Sequence, residues 1–506
     1  MLKNKKDNGQ TLIESEVKPE LPKDFLRHQL QSRIEMLREK GLEDPEILQN
    51  LYPNTILDTG TLEALTAALI AGNNVLLFGP PGSGKTNLAK DIWEMFPKRN
   101  YIVDGCPVQD NPYSIFDSDF FKKVPACPFC KTRFGELSFS ELGYYDPSKV
   151  DPNSVPVNLV TLREGHGLAR IQGSPEVFPD NLTGTLNLQR LEKIGDPTSP
   201  LVLEPGKLLQ ANRGLLMVDE IGKLPRGTQN VLLQALQEHI VSPAKSRETF
   251  PASFIAICTS NLDDLDNINE PLNDRLSNIH VNFNKMHWKN RKIIDLALAK
   301  GTNDVFLPEI FLEGSVFITE AWRNASGDVY ELSEVGSNRT MIDIITRSEA
   351  YTNLQERRMV SLQDFEKGAQ HAMLGRIRAR GGDSLAQNED RINGFISKNL
   401  QKELRKAGRL YWCGFYKDIL NEDKPEGKRV LQECQKVLKN PELAKGALRQ
   451  DSSQKKYRKF GKFVVGREHY PGNLNSDEVV LSVFGLLSSL DVFECDESEL
   501  KIKVAK

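Results

Sequence analysis

The octapeptide Gly79, Pro80, Pro81, Gly82, Ser83, Gly84, Lys85, Thr86 fits the pattern GxxxxGK[ST]; the apolar run "NNVLLF" precedes it and the amphipathic stretch "NLAKDIWEMF" follows. Residue type dictates its chemistry. Glycines at 79, 82 and 84 let backbone N–H groups converge on phosphate oxygens, and a helix beginning there adds its positive end. The Lys85 ammonium reaches the β and γ phosphates, and the Thr86 hydroxyl can hold Mg2+. A strand before and a helix after separate this loop from an incidental Gly/Pro turn. The acids that such chemistry needs come later, in "RGLLMVDEIGKLP", where four apolar residues run into Asp219 and Glu220. Asp219 can orient the Mg2+ shell, and Glu220 can polarise an attacking water. Paired acids could merely cap a strand, but downstream of a phosphate loop they read as catalytic. "SFIAICTSN" ends at Asn261, which could position the same water from the adjacent strand. Arg275, in "NEPLNDRLSNIHVNF", stands on a turn before an apolar strand. It reads either as a surface charge or as a finger offered to a neighbouring subunit's γ-phosphate.

A second chemistry resides in cysteines. Cys106 directly follows "NYIVDG", which reads as the second strand, and Cys127 and Cys130 form a Cys-x-x-Cys one loop later in "VPACPFCKTRFGE". Such a turn presents two thiolates to one tetrahedral ion, and zinc favours sulfur in a closed four-ligand shell. His166, in "REGHGLAR", is the nearest histidine for the fourth place, with Asp104, Asp110 or water as substitutes. A structural zinc, a reduced unmetallated loop and a redox switch all remain open.

These residues need a scaffold. From Asn73 to Phe283 short apolar runs alternate with amphipathic helices, which predicts an α/β core with a parallel sheet covered on both faces. Four strands are expected, in "NNVLLFG", "GLLMVDE", "SFIAICTSN" and "NIHVNF". Residues 1–54 read as a polar, disordered start and a helical lead, in which Leu26, Leu30, Ile34 and Leu37 keep helical spacing ahead of Gly41. Residues 55–284 form the nucleotide-binding core with a Cys-bearing insertion at about 105–157. Residues 285–380 read as helices, "RGGDSLAQNED" as a linker, and 391–506 as a separate α+β region. There, "QKKYRKFGKFVVGREHY" interleaves basic and aromatic residues, a composition suited to single-stranded nucleic acid or to a solvated strand pair.

Composition excludes several classes. The 506 residues carry 66 Lys plus Arg against 69 Asp plus Glu, a net charge of −3, so the chain is not a globally basic nucleic-acid binder. Seven cysteines without a secretory leader fit a reducing compartment. With no run of 18 apolar residues, a cytoplasmic protein without a membrane span is expected. No HExxH or GxSxG occurs, and His239 and His371 read as helix-face residues.

The order of phosphate loop, "LLMVDE", Asn261, Arg275 and a helical lid resembles the AAA+ ATPases. Within them, "GTLN", "EPGKLLQANRG" and the acidic strand are similar to the magnesium-chelatase I subunit and MoxR-type clade, across residues of about 55–380. The resemblance implies a helix-2 insert at about 185–204, a hairpin at "SPAKSRETFPA", and a sensor arginine at Arg339 in "SNRTMIDIITRSEAY". It implies ATP and Mg2+ as cofactors and a homo-oligomeric ring, a hexamer, in which Arg275 acts on the next subunit's site. No von Willebrand-type metal signature is present, which implies that such a domain would lie on a partner chain. The cysteine loop is similar to that of PrkA-type AAA+ proteins, although no DFG or HRD supports kinase chemistry. The expectation is an ATP hydrolase acting as a molecular chaperone on a protein client; the rival is a nucleic-acid-dependent motor.

Overall fold

The structure, a computed structural model, describes residues 19–419 apart from 139–143, 198, 244–245, 247, 300–304, 326–335, 375 and 377–383, together with the strands at 493–496 and 501–504. The polar start over residues 1–18 and the basic aromatic stretch Gln454–Tyr470 lie outside the described residues.

The chain opens with the helix Pro22–Glu39, which buries Leu26 and Leu30 completely and ends before Gly41, where φ is +80°. Strands in chain order are β1 (Asn74–Phe78), β2 (Arg99–Val103), β3 (Val157–Thr161), β4 (Arg163–Glu164), β5 (Gly167–Gln172), β6 (Gly184–Leu186), β7 (Leu203–Pro205), β8 (Leu215–Asp219), β9 (Ile240–Val241), β10 (Phe250–Pro251), β11 (Ile255–Ser260) and β12 (Leu276–His280). Six of them form one sheet in the order β12-β1-β11-β8-β5-β4. Parallel pairing places Val75 beside Ile257 and Ser277, and Leu215 beside Ile255 and Leu168.

Alternate residues of the same strands enter two cores. Leu76, Leu216, Val218, Ala256 and Cys258 face one; Val75, Leu77, Leu215, Met217, Ile255 and Ile257 face the other. The leading helix joins the second core through Leu26 and Leu30. A parallel sheet buried on both faces needs continuous apolar strands, and the four expected runs become β1, β8, β11 and β12.

"NYIVDG" forms β2, but β2 pairs antiparallel with β3 in a separate two-stranded sheet, with Tyr101 opposite Leu159. The place beside β8 belongs to β5, "GLARIQ", whose Arg170 and Gln172 are exposed while Gly167, Ala169 and Ile171 are buried. Alternation of this kind is invisible to a search for apolar runs. β2 and β3 therefore stand outside the main sheet, and the sequence between them carries Cys106, Cys127 and Cys130.

The chain divides into two compact units at Asn282 and Phe283. Among its described residues the second unit carries the Pro-free helices His287–Leu298, Glu309–Ala325, Asn338–Leu354 and Leu362–Met373. The helix Leu385–Ile419 crosses the expected boundary at 391. It buries Phe395, Leu400 and Leu404, and a Cβ at Gly314 would meet Leu404 at 2.5 Å, so it packs into the helical unit. The strands Phe493–Asp496 and Lys501–Val504 pair antiparallel. No helix among the described residues is long and apolar enough to cross a membrane.

Candidate active site

β1 delivers the chain into the glycine loop. Gly79 has φ of +151°, and a Cβ there would meet the Val281 carbonyl oxygen at 2.1 Å, so only glycine fits against the end of β12. Gly84 is left-handed at +106° and starts the helix Lys85–Trp93. Lys85 Nζ donates to the carbonyl oxygens of Gly79 and Pro80, both at 2.8 Å, which aims the ammonium across the loop. Pro80, Pro81 and Gly82 form its rim; Ser83 is buried beneath, its hydroxyl without a hydrogen-bond partner among the described residues.

β8 delivers the acids. Thr86 Oγ1 donates to Asp219 Oδ1 at 3.3 Å, joining the phosphate-loop helix to the acidic strand. Thr259 of β11 donates to the same oxygen at 3.3 Å, and Arg170 of β5 donates through Nε to Oδ2 at 2.8 Å. Glu220 has a left-handed backbone (φ 56°, ψ 51°), a conformation that costs roughly 1–2 kcal/mol outside glycine. Its N–H is anchored by Thr259 Oγ1 at 3.0 Å. The strained turn points its carboxylate at Asn261 Nδ2 (3.5 Å), Gln172 Nε2 (3.2 Å) and Lys223 Nζ (3.0 Å). Asn261 and Glu220 thus meet from neighbouring strands. Arg170, Gln172, Lys223 and Thr259 are additions that the sequence reading missed; a polar residue at the C-terminal end of every strand beside β8 is the signal that could have found them.

Arg275 lies outside this cluster. It is exposed at the turn before β12 and pairs with Asp274 at 2.6 Å.

Residues 71–305 match the family model of the PrkA AAA domain. The chain is 22% identical over 382 residues to the magnesium-chelatase subunit ChlI homolog of Methanocaldococcus jannaschii, covering 70% of this chain and 93% of that protein. Residues 71–305 thus resemble an AAA domain of the PrkA kind. The chain is similar to the chelatase-I type, with PrkA-like features. It is also 24% identical over 288 residues to an archaeal Lon protease of Methanothermobacter thermautotrophicus, covering 48% of this chain and only 45% of that relative. Among solved structures, the BchI–BchD complex of magnesium chelatase is similar at 17% identity and a TM-score of 0.32, over 66% of this chain and 95% of that one.

In the second unit, Arg339 is exposed in the first turn of the helix Asn338–Leu354. Beside it, Arg323 donates to the Gly336 carbonyl and to Asn338 Oδ1, both at 2.7 Å.

The segment at 184–205 is a hairpin of β6 and β7 enclosing the helix Leu188–Ile194, which buries none of its residues.

The first unit also gathers the cysteines. Cys106, Cys127 and Cys130 are buried with the Sγ atoms of Cys106 and Cys127 3.7 Å apart, and the carboxyl that joins them is Asp110. His166 does not: it sits in the turn between β4 and β5, bridged to Arg163 at the edge of the main sheet. The fold of β5 into the sheet carries that histidine away from the β2–β3 segment. Burial, with Cys106 beside it, pushes the Asp110 carboxyl up to about 8, and burial raises the Cys127 thiol. Burial opposes ionisation of Cys106 too, yet hydrogen bonds from Cys127, Cys130 and the Asp110 backbone hold it well below the usual thiol range. Asn212 Nδ2 donates to the Val108 carbonyl at 2.7 Å, and Arg213 Nη2 to Asn100 Oδ1 at 2.9 Å, tying this segment to the base of β8.

Proposed function

We propose that this chain is an ATP hydrolase that assembles into a ring and spends turnover on remodelling a protein partner. The carrying observation is the 3.3 Å approach of Thr86 Oγ1 to Asp219 Oδ1, a hydroxyl and a carboxylate brought together from different elements beside Lys85. That donor pair suits Mg2+, which keeps most of its waters and takes one or two protein ligands plus phosphate oxygens. When bound, Mg2+ would neutralise charge on the β and γ phosphates. The loop at Gly79, Gly82 and Gly84 cradles those phosphates, and Lys85 swings from its own carbonyls to the γ oxygens. Glu220 takes the proton of the attacking water while Asn261 orients it. Arg275 acts on the neighbouring subunit's site, and Arg339 senses the nucleotide from the lid.

Support for a protein client comes from the insert at 184–205. Leu188 and Ile194 are exposed by 74% and 40% in a helix with no buried face, and Leu201 by 37% in the turn Pro200–Val202. A cavity at its base is lined by Leu186, Val202, Leu203 and Pro243. Exposed apolar surface of this kind suits protein contact. The client proposed is a protein with a von Willebrand-type domain on another chain, which places the reading nearer the chelatase and MoxR-type clade than a nucleic-acid motor.

The test pairs phosphate release by the wild type with capture from native lysate by Glu220→Gln in ATP. Release that depends on Mg2+ and a specific protein captured only with ATP are expected. No release under any condition would refute the hydrolase, and recovery of nuclease-sensitive material instead would refute the protein client.

A further inference from the structure

The carboxyl of Asp110 between β2 and β3 is hard to explain as core. It sits with three thiols among Val103, Val108, Ile115 and Phe134, where the thiols could pack as small apolar groups but an unpaired carboxyl costs free energy. Asp110 is 2% exposed; its Oδ2 accepts from the Cys127 N–H at 2.7 Å, while Oδ1 has no hydrogen-bond partner among the described residues. A buried carboxyl oxygen without a donor calls for a cation.

We infer that Cys106, Asp110, Cys127 and Cys130 hold one zinc ion in a closed four-coordinate site. Their ligand atoms all lie within 4.8 Å of one another. Tetrahedral zinc with sulfur at about 2.3 Å sets its sulfurs about 3.8 Å apart, and the Cys106–Cys127 separation is 3.7 Å. A disulfide would need about 2.05 Å. The backbone completes the arrangement with the outer hydrogen bonds that zinc thiolates take: Asp110 N–H donates to Cys106 Sγ at 3.3 Å, and Cys130 N–H to Cys127 Sγ at 3.4 Å. Three thiolates and a carboxylate leave an excess of two negative charges around Zn2+, and the field of Arg213 reaches both Asp110 and Cys106.

Four buried protein ligands leave no open position, so the ion is structural, not catalytic. It clamps the end of β2 to the helix Pro128–Ser138, and Asn212 carries that clamp to the base of the strand bearing Asp219. The site is independent of ATP turnover.

Metal analysis of the full chain, purified under reducing conditions without chelator, should find about one zinc per chain. Cobalt replacing it should give a thiolate-to-metal absorption band and tetrahedral d–d bands. Asp110→Ala should weaken zinc binding roughly tenfold or more, whereas His166→Ala and Cys258→Ser should keep one zinc. Wild-type protein that stays near zero after reconstitution with zinc would overturn the inference, as would loss of zinc in His166→Ala with retention in Asp110→Ala. If Cys127→Ser and Cys130→Ser fail to fold, the wild-type stoichiometry and cobalt spectrum still decide.

Discussion

Arg170 closes on Asp219 from β5, its Nε 2.8 Å from Oδ2, while Thr86 holds the other carboxylate oxygen. The acid is therefore shared between a guanidinium and the helix of the phosphate loop. Arg170→Met should free it for the metal and lower the Mg2+ concentration needed for half-maximal turnover by roughly threefold to tenfold. A Mg2+ titration of phosphate release measures this; a higher requirement would mean that Arg170 positions Asp219 instead of competing for it.

Glu220 and Asn261 meet from the ends of two neighbouring strands, with Asn261 Nδ2 3.5 Å from Glu220 Oε1. Glu220→Gln should keep ATP binding and lose turnover by about a hundredfold or more. Asn261→Ala should lose about tenfold to a hundredfold in kcat with KM little changed, because it misplaces the water and leaves phosphate contacts intact. Steady-state kinetics together with nucleotide-binding titration separate the two effects.

Arg275 is exposed and, among the described residues, pairs through the adjacent Asp274, which would leave it available to another subunit. Arg275→Ala should bind ATP but turn over about a hundredfold or more slowly. Lys85→Ala should fail at binding. Mixing the two dead variants should restore part of the rate, since a ring can then combine an intact phosphate loop from one subunit with an intact arginine from its neighbour. An unrecovered rate in mixed rings would contradict action in trans.

His287 lies between Glu313 and Glu320, with Nδ1 3.1 Å from Glu320 Oε2, and Arg291 also contacts Glu313. Burial opposes its charge, but the two carboxylates prevail and raise its pKa from 6.5 to about 9. A raised folded-state pKa means that the stabilisation is complete below about pH 6.5 and is lost as pH rises through about 9. His287→Gln should cost on the order of 2 kcal/mol at pH 6 and little at pH 10. Denaturant unfolding at both values checks it; an equal gap at both would exclude the ion-pair explanation.

The leading helix belongs to the core, since Leu26 and Leu30 are fully buried with Leu65 and Leu69. Leu30→Ala should lower stability by about 2–5 kcal/mol. A change below about 0.5 kcal/mol in equilibrium unfolding would show that the helix is detachable.

Most of the core was legible because buried parallel strands must be apolar along their whole length. β1, β8 and β11 announce themselves for that reason, and the phosphate loop and the acid pair follow at their ends; the edge strand β12 instead alternates buried Leu276 and Ile279 with exposed Asn278 and His280. β5 did not, since it alternates Ala169 and Ile171 with Arg170 and Gln172. The helix Leu385–Ile419 was split by its Gly- and Asp-rich approach, although its inward residues dock on the helical unit.

The sequence by itself determined the phosphate loop, the acids Asp219 and Glu220, and the cysteine spacing, because each is a local pattern whose chemistry depends on residue types a few positions apart. Tertiary structure alone decided that Gln172 stands level with Asp219, that Arg170 joins Asp219, and that Asp110 replaces His166 beside the cysteines. Those relationships join residues far apart in the chain through strand register and burial, and neither is encoded in the spacing of any one segment.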